Sequence, residues 1–309
     1  MISSWEQLVP ILAVTLAAAT PLVFAGLGEL VAEKSGVMNL GVEGMMLIGA
    51  VAGFAGALQF GFVGGVICGA LAGALAALPF AFLTLTLATN QAATGLALTI
   101  FGIGLSAFVG QYFVSYALPG LKPWVLPGLA DIPLIGQILF AQTPMVYLSW
   151  LVFGLLAWAL ARSRWGLILR AVGESPDAAH AIGYPVTAIR YAATCFGGAM
   201  AGIGGAYLST VYTPLWVQNM TAGRGWIAVA LVVFAAWRPG RLMLGAYLFG
   251  GMTILQLHAQ GLGLAWPSQL LAAVPYLATI VVLVLISRDH KRLMLSQPAS
   301  LGRPWMSND

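Results

Sequence analysis

Polar side chains that could contact a substrate are concentrated in two interruptions of a very apolar chain. The first, GELVAEKSGVMNLGVEGMMLIGA at residues 28–50, places an amide and a carboxylate among three glycines at the start of an apolar run. The second, TNQAATG at residues 89–95, separates two apolar runs. Polar groups at membrane depth are costly, and they commonly mark the path of a polar substrate. The predicted substrate-path residues are Asn39, Glu43, Asn90, Gln91 and Thr94.

Both interruptions also have a purely structural interpretation. The glycines Gly36, Gly41 and Gly44 lower helix propensity, so we expect a broken or late-starting helix there. A carboxylate at Glu43 in the first turn of that helix would complement its dipole. Residues 89–95 also have the composition of a short turn.

Residue patterns for catalysis or metal binding are missing from the sequence. The histidines His180, His258 and His290 have no HExxH or paired-ligand spacing, and no GxSxG motif occurs. No lysine lies in a P-loop, so the chain cannot hold ATP phosphates in that way. Cys68 and Cys195 lie in apolar runs without CxxC spacing, which indicates neither a disulfide framework nor a metal site. We predict a chain that is not an enzyme and binds no cofactor or metal, so that any ATP use belongs to a partner.

The composition indicates an all-α polytopic membrane protein. Hydrophobic residues make up 60% of the chain and charged residues 7%, with a mean hydropathy of +0.93, whereas soluble domains have roughly 25% charged residues. The apolar runs suit membrane helices and are too long and too unalternating for barrel strands. Lys and Arg flank these runs without aromatic clustering, so the net charge of +4 indicates membrane topology and not nucleic-acid binding. The whole chain, 1–309, is expected to form one transmembrane domain.

The apolar runs predict about nine transmembrane helices. Residues 115–143 carry four prolines and predict an irregular connection with a short surface helix. A stripe of Gly61, Gly65, Gly69 and Gly73 on the third run favours close helix packing. The predicted spans are about 7–28, 37–58, 62–83, 92–114, 144–161, 190–211, 225–237, 241–258 and 268–287.

The distribution of basic residues predicts a cytoplasmic C-terminus, and an outer N-terminus if nine spans is correct. Only Lys122 and Arg224 fall outside in this orientation. Trp216, in the segment 212–226, is expected to anchor the chain at the outer boundary. The residues predicted to be inside are Lys34, Arg162, Arg164, Arg170, Arg190, Arg238, Arg241, Arg288, Lys291, Arg292 and Arg303.

The longest polar stretch, residues 162–190, contains the signals of a short helix. Ser175 suits the cap, Pro176 the first helical position and Asp177 the first turn, and Gly183 ends the helix. So short a helix is not stable alone in water, so it must rest on this chain's own surface or on a partner.

Four segments resemble the signature segments of bacterial ABC-importer permeases of the branched-chain amino acid and simple sugar class, and most closely the subgroup that imports nucleosides. The resemblance extends from about Thr20 to Ile286. The segments, in the family's order, are GVMNLGVEGMMLIGA, NQAATGLALTIFGIGLS, GLILRAVGESPDAAHAIGYPVTAIRY and GRGWIAVALVVFAAW.

The resemblance implies a location in the bacterial cytoplasmic (inner) membrane, surrounded by lipid, and a set of partners. These are a second related permease in a heterodimer, an ATPase with two nucleotide-binding halves that holds ATP and Mg²⁺, and an extracytoplasmic binding lipoprotein. The resemblance also implies that the short helix of the polar stretch is a coupling helix. This helix would dock in a cleft of the ATPase, where Ala178, Ala179 and Ala181 would be buried. The implied coupling residues are Glu174, Ser175, Pro176, Asp177, Ala178, Ala179, His180, Ala181, Ile182 and Gly183.

Purine nucleosides are the first substrate that the resemblance suggests, and a simple sugar such as a pentose is the alternative. Two other classes stay open from the residues alone. An ion-coupled secondary transporter would normally need a midplane acid or an ionisable network, and only Glu43 comes close. An intramembrane enzyme would need catalytic residues at membrane depth, where His258 has no evident partner in the sequence.

Overall fold

The computed structural model describes residues 4–133, 135–261, 268–287 and 296–306. Helices dominate these residues. Five-residue π-helical turns extend α2 and α8, and the two-residue strands β1 (Trp124–Val125) and β2 (Ala141–Gln142) pair antiparallel. The helices are α1 (Ser4–Lys34), α2 (Val42–Ala81), α3 (Gln91–Gly110), α4 (Ile135–Leu139), α5 (Pro144–Arg162), α6 (Arg164–Glu174), α7 (Pro176–Ala181), α8 (Val186–Tyr207), α9 (Arg224–Phe234), α10 (Pro239–Gly261) and α11 (Ser268–Ser287).

The predicted count of nine spans is not confirmed. Within the described residues, five helices are long and apolar enough to cross a membrane. One of the five is helix α2 together with its π-helical extension, and it contains two of the predicted spans. The predicted seventh span is the 11-residue helix α9, which at 1.5 Å per residue is about 16 Å long and cannot cross about 30 Å of hydrocarbon.

Helix α2 is a hairpin that bends at Gly61, where φ is +72° and ψ is −175°. A methyl group added at Gly65 would lie 2.7 Å from the carbonyl oxygen of Gly53, and one at Gly69 would lie 3.1 Å from that of Gly49. Residues 20 positions apart in a continuous helix would be about 30 Å apart. The predicted second and third spans are therefore the two antiparallel legs of this hairpin.

Helix α8 occupies the centre of the bundle, between α1 and both legs of α2. A Cβ atom added at Gly73 would lie 2.8 Å from the Cα atom of Gly202, so these two backbones are in direct contact. The predicted close packing along the glycine stripe is thus found at Gly65, Gly69 and Gly73, where small residues allow near approach. Gly61 does not take part in this packing, because it forms the bend of the hairpin.

Basic residues gather at one end of the bundle, which we call the basic end. Lys34 at the end of α1, Arg170 on α6 and Arg238 after α9 line one cavity of about 510 Å³. Arg190 at the start of α8 is buried nearby, and its Nε donates to the carbonyl oxygen of Ser35 (3.0 Å). Several of the residues predicted to share one side of the membrane therefore lie together in space.

Candidate functional site

Between α1 and α2 the chain turns back into the bundle as a non-helical segment, residues 35–41. The backbone N–H of Asn39 donates to Oε1 of Glu29 (3.0 Å), a residue more than one turn before the end of α1. The side-chain oxygen of Asn39 accepts from the N–H of Gly41 (2.9 Å). Asn39 is fully buried and shapes the re-entrant turn, and α2 begins late, at Val42, as the glycines predict.

Glu43 lies in the first turn of α2, but its carboxylate binds the start of a different helix. Oε1 accepts from the hydroxyl of Thr221 (2.5 Å) and the N–H of Gly223 (2.8 Å), and Oε2 accepts from the N–H of Gly225 (2.6 Å). These donors surround the N-terminus of α9, where a negative charge is stabilised by the helix dipole and by charge-assisted hydrogen bonds. We call this group, Glu43, Thr221, Gly223 and Gly225, the Glu43 clasp.

The Glu43 clasp lies deep in the bundle. Helix α9 runs from the clasp to the basic end, where the indole N–H of Trp237 donates to Oε2 of Glu33 (2.5 Å). Its 11 residues place the clasp about 16 Å from that end, roughly half of the hydrocarbon thickness. The starts of two helices, α2 and α9, thus meet at one carboxylate inside the bundle.

The segment before α9 differs from the sequence expectation. Trp216 does not anchor the chain at a membrane surface, because only 3% of it is exposed. It packs against Gly110 and beside Phe54 in a buried aromatic cluster. Residues 213–223 therefore enter the bundle from the end opposite the basic end and lead down to Glu43.

The residues of the second polar interruption surround the start of α3. Asn90 caps the helix by accepting from the N–H of Ala93 (2.9 Å), and the hydroxyl of Thr94 donates to the carbonyl oxygen of Asn90 (2.8 Å). Gln91 is buried, and its Oε1 accepts from the N–H of Met38 (2.8 Å) in the re-entrant segment. The Nε2 atom of Gln91 has no hydrogen-bond partner among the described residues. Contact of these side chains with substrate stays a prediction.

Sequence reasoning missed two buried carboxylates on α1. Glu29 is 0% exposed and Glu33 is 1% exposed. Glu29 accepts a hydrogen bond from Asn39 in the re-entrant segment, and Glu33 accepts one from Trp237, after the end of α9. Their spacing of four residues puts both on one face of a helix, which was the available signal.

The polar stretch forms the expected short helix, α7, directly after α6. The hydroxyl of Ser175 accepts from the N–H of Ala178 (3.3 Å), and Pro176 occupies the first turn. Gly183, with φ of +91°, ends the helix, and the N–H of Tyr184 donates to the carbonyl oxygen of Ala179 (3.1 Å). Capping and termination therefore follow the sequence signals.

Burial around α7 corrects one expectation. Ala179 is not available to a partner, because it is 2% exposed and packs with Val172 and Val186 of this chain. Pro176 is buried as well. The exposed members of the segment are Glu174, Ser175, Asp177, Ala178, His180, Ala181, Ile182 and Gly183.

Residues 11–286 match the family of branched-chain amino acid transport system permease components, and the chain belongs to this family. It is a multi-pass membrane protein and an ABC transporter permease, a class that works with an ATPase and a substrate-binding partner. This membership replaces the secondary-transporter and intramembrane-enzyme alternatives.

Three relatives align over most of their length. The putative glucose ABC transporter permease protein TsgC13 of Haloferax volcanii is 42% identical over 93% of this chain and 94% of its own. The nucleoside permease NupC of Lactococcus lactis is 35% identical, over 86% and 89%. The guanosine permease NupQ of Bacillus subtilis is 30% identical, over 87% and 89%.

Proposed function

We propose that residues 1–309 form a single transmembrane permease domain of an ATP-driven importer in the cytoplasmic membrane. The basic end and the C-terminus face the cytoplasm, where α7 receives the motion of an ATPase with two nucleotide-binding halves. That ATPase binds ATP and Mg²⁺, and this chain holds no cofactor. A second, related permease completes a heterodimer, and an extracytoplasmic lipoprotein delivers the substrate.

The exposed outer face of α7 is the observation that carries this proposal. A six-residue helix has no stability of its own in water, and here Pro176 and Ala179 anchor its inner face on the chain. The other face presents Ile182, which is 72% exposed, beside the small residues Ala178 and Ala181. Small residues permit close approach, and Ile182 offers apolar area to a protein cleft.

Ile182→Asp tests the coupling role. Burying an isoleucine side chain contributes about 1.5–3 kcal/mol, so we expect binding of the ATPase to weaken about tenfold or more. ATPase retained per permease after co-purification, and uptake by reconstituted vesicles, are the measurements. Ile182→Leu is the matched control and should retain both. Uptake by a strain that lacks every candidate ATPase would contradict the proposal.

We propose a purine nucleoside as the substrate, supported by the nucleoside-type segments and by relatives named nucleoside and guanosine permeases. A simple sugar is the second candidate, supported by the 42% identical relative that is named a putative glucose permease. Vesicles that contain the whole complex should accumulate labelled guanosine, and excess unlabelled guanosine but not glucose or ribose should block that uptake. Accumulation of the sugar alone would reverse the assignment.

A further inference from the structure

A C-terminal segment fastens together three elements at the basic end. We call residues 296–306 the C-terminal strap. The N–H and the hydroxyl of Ser300 both donate to the carbonyl oxygen of Gly173 (3.0 and 2.6 Å), at the end of α6. The same hydroxyl accepts from Nη2 of Arg190 on α8 (2.9 Å). Two residues later, the N–H of Gly302 donates to the carbonyl oxygen of Gly36 (3.1 Å).

The far end of the strap contacts α7 directly. The indole N–H of Trp305 donates to Oδ1 of Asp177 (2.7 Å). Its ring meets the ring of His180 edge to face, with centroids 5.5 Å apart, and packs on the cluster that holds Ala179. One hydrogen bond and an aromatic contact of this kind tie the strap to Asp177 and His180, and not to the face of α7 that presents Ala178, Ala181 and Ile182.

The other end of the strap contacts the root of the re-entrant segment. Gly36 has φ of +92°, and a Cβ atom there would collide with the hydroxyl of Ser300 and lie 2.8 Å from Nη2 of Arg190. Three residues further along the chain, Asn39 shapes the turn that leads to Glu43. Ser300 is 7% exposed and Arg190 is 2% exposed, so these bonds are shielded from water and are costly to break.

We propose that the C-terminal strap is a mechanical link that transmits movement of α7 to the re-entrant segment 35–41 and so to the Glu43 clasp. This inference rests on the proposed coupling role of α7. Trp305 is the positioning residue at the α7 end, and Ser300 is the one at the re-entrant end. A strap that only stabilises the fold would change the amount of folded protein but not the substrate transported per ATP hydrolysed.

The test measures this ratio in vesicles that contain the permease pair, the ATPase and the binding protein. We expect Trp305→Ala to lower transport per ATP hydrolysed fivefold or more while the assembled complex still hydrolyses ATP. Trp305→Phe keeps an aromatic ring but loses the N–H donor, so its ratio should lie between those of the wild type and Trp305→Ala. Ser300→Ala should lower the ratio as well. Trp165→Ala removes a tryptophan that is 78% exposed on α6, and this matched control should behave as wild type.

A reversible cross-link keeps the proposal testable if Trp305→Ala assembles poorly. Asp177→Cys and Trp305→Cys are combined after Cys68 and Cys195 have been replaced by alanine, and a bis-methanethiosulfonate reagent joins the two thiols, because the tryptophan side chain spans more than a direct disulfide can. Cross-linking, verified by mass spectrometry, should restore the ratio and reduction should abolish it again. An unchanged ratio in Trp305→Ala and Ser300→Ala, or no change of the ratio in verified cross-linked protein, overturns the strap proposal. If wild-type vesicles transport without the ATPase, the proposed function fails instead.

Discussion

At the scale of single residues, Glu43 decides how two helices meet inside the bundle. Its carboxylate has three donors, and all three belong to the start of α9. An anion at a helix N-terminus is favourable, and shielding from water strengthens the interaction. These hydrogen bonds explain why the carboxylate can be buried. They would break if α2 and α9 moved apart during transport.

Glu43→Gln should weaken the Glu43 clasp. A carboxamide has one accepting oxygen, so its NH₂ group would face a backbone N–H, and a charge-assisted bond of about 1.5–3 kcal/mol would be lost. We expect uptake to fall about tenfold while the assembled complex keeps basal ATPase activity. Thr221→Val removes one donor of three and should have a smaller effect. Wild-type uptake in Glu43→Gln would limit this residue to a dispensable cap.

Gly225→Ala should destabilise the same contact by steric overlap. The added Cβ atom would lie 2.5 Å from the backbone N and Cα atoms of Glu43, and backbone cannot move as a flexible side chain can. Overpacking of this kind costs about 1–3 kcal/mol, so the unfolding temperature in detergent should fall. Gly240→Ala is the matched control, because a Cβ atom there meets no atom within 4 Å. Equal unfolding temperatures for the two variants would contradict the close approach.

At the scale of elements, α7 has two faces with different roles. The face with Ala179 belongs to the chain's own core, and the face with Ala178, Ala181 and Ile182 is exposed. Substitutions on the first face should therefore lower the stability of the permease, and substitutions on the second should weaken binding of the ATPase.

Ala179→Trp should destabilise the permease itself, since no space exists beside Val172 and Val186 for an indole ring. We expect less membrane-inserted protein and a lower unfolding temperature. Ala181→Trp should leave both unchanged and reduce co-purification of the ATPase. Normal expression of Ala179→Trp with loss of the ATPase would mean that Ala179 faces the partner after all.

At the scale of the whole molecule, the basic end gives the bundle its polarity. Lys34, Arg170 and Arg238 line one cavity there, and the strap and α7 lie at the same end. Positive residues favour the cytoplasmic side of a membrane. The orientation therefore predicts which loops a membrane-impermeant reagent can reach.

Single cysteines introduced in a background without Cys68 and Cys195 test this orientation in intact cells. Cysteines at Ser175 and Ser296 should be protected from the reagent, and a cysteine at Pro127, which is exposed in the connection after α3, should react. Permeabilised cells, in which the first two positions should become reactive, provide the control. Labelling of Ser175 from outside would reverse the orientation.

Local chemistry was readable in the sequence wherever a few neighbouring residues decide the outcome. Ser175, Pro176 and Gly183 indicated the limits of α7, and the glycines near Asn39 indicated the late start of α2. The four signature segments indicated the permease family, which the matched residues confirm. Capping, termination and helix propensity depend on positions within a few residues of one another, so a single sequence contains them.

Only the tertiary structure decided which distant groups meet. Hydropathy correctly counted the two legs of α2 as two spans, but it also counted the 11-residue helix α9 as one, because it measures apolar length and not whether a helix starts inside the bundle. The bonds from Glu43 to Gly225 and from Trp305 to Asp177 join residues 182 and 128 positions apart. Neither has a local signature, because a buried polar group takes whichever partner the packing brings to it, and the packing is a property of the whole chain.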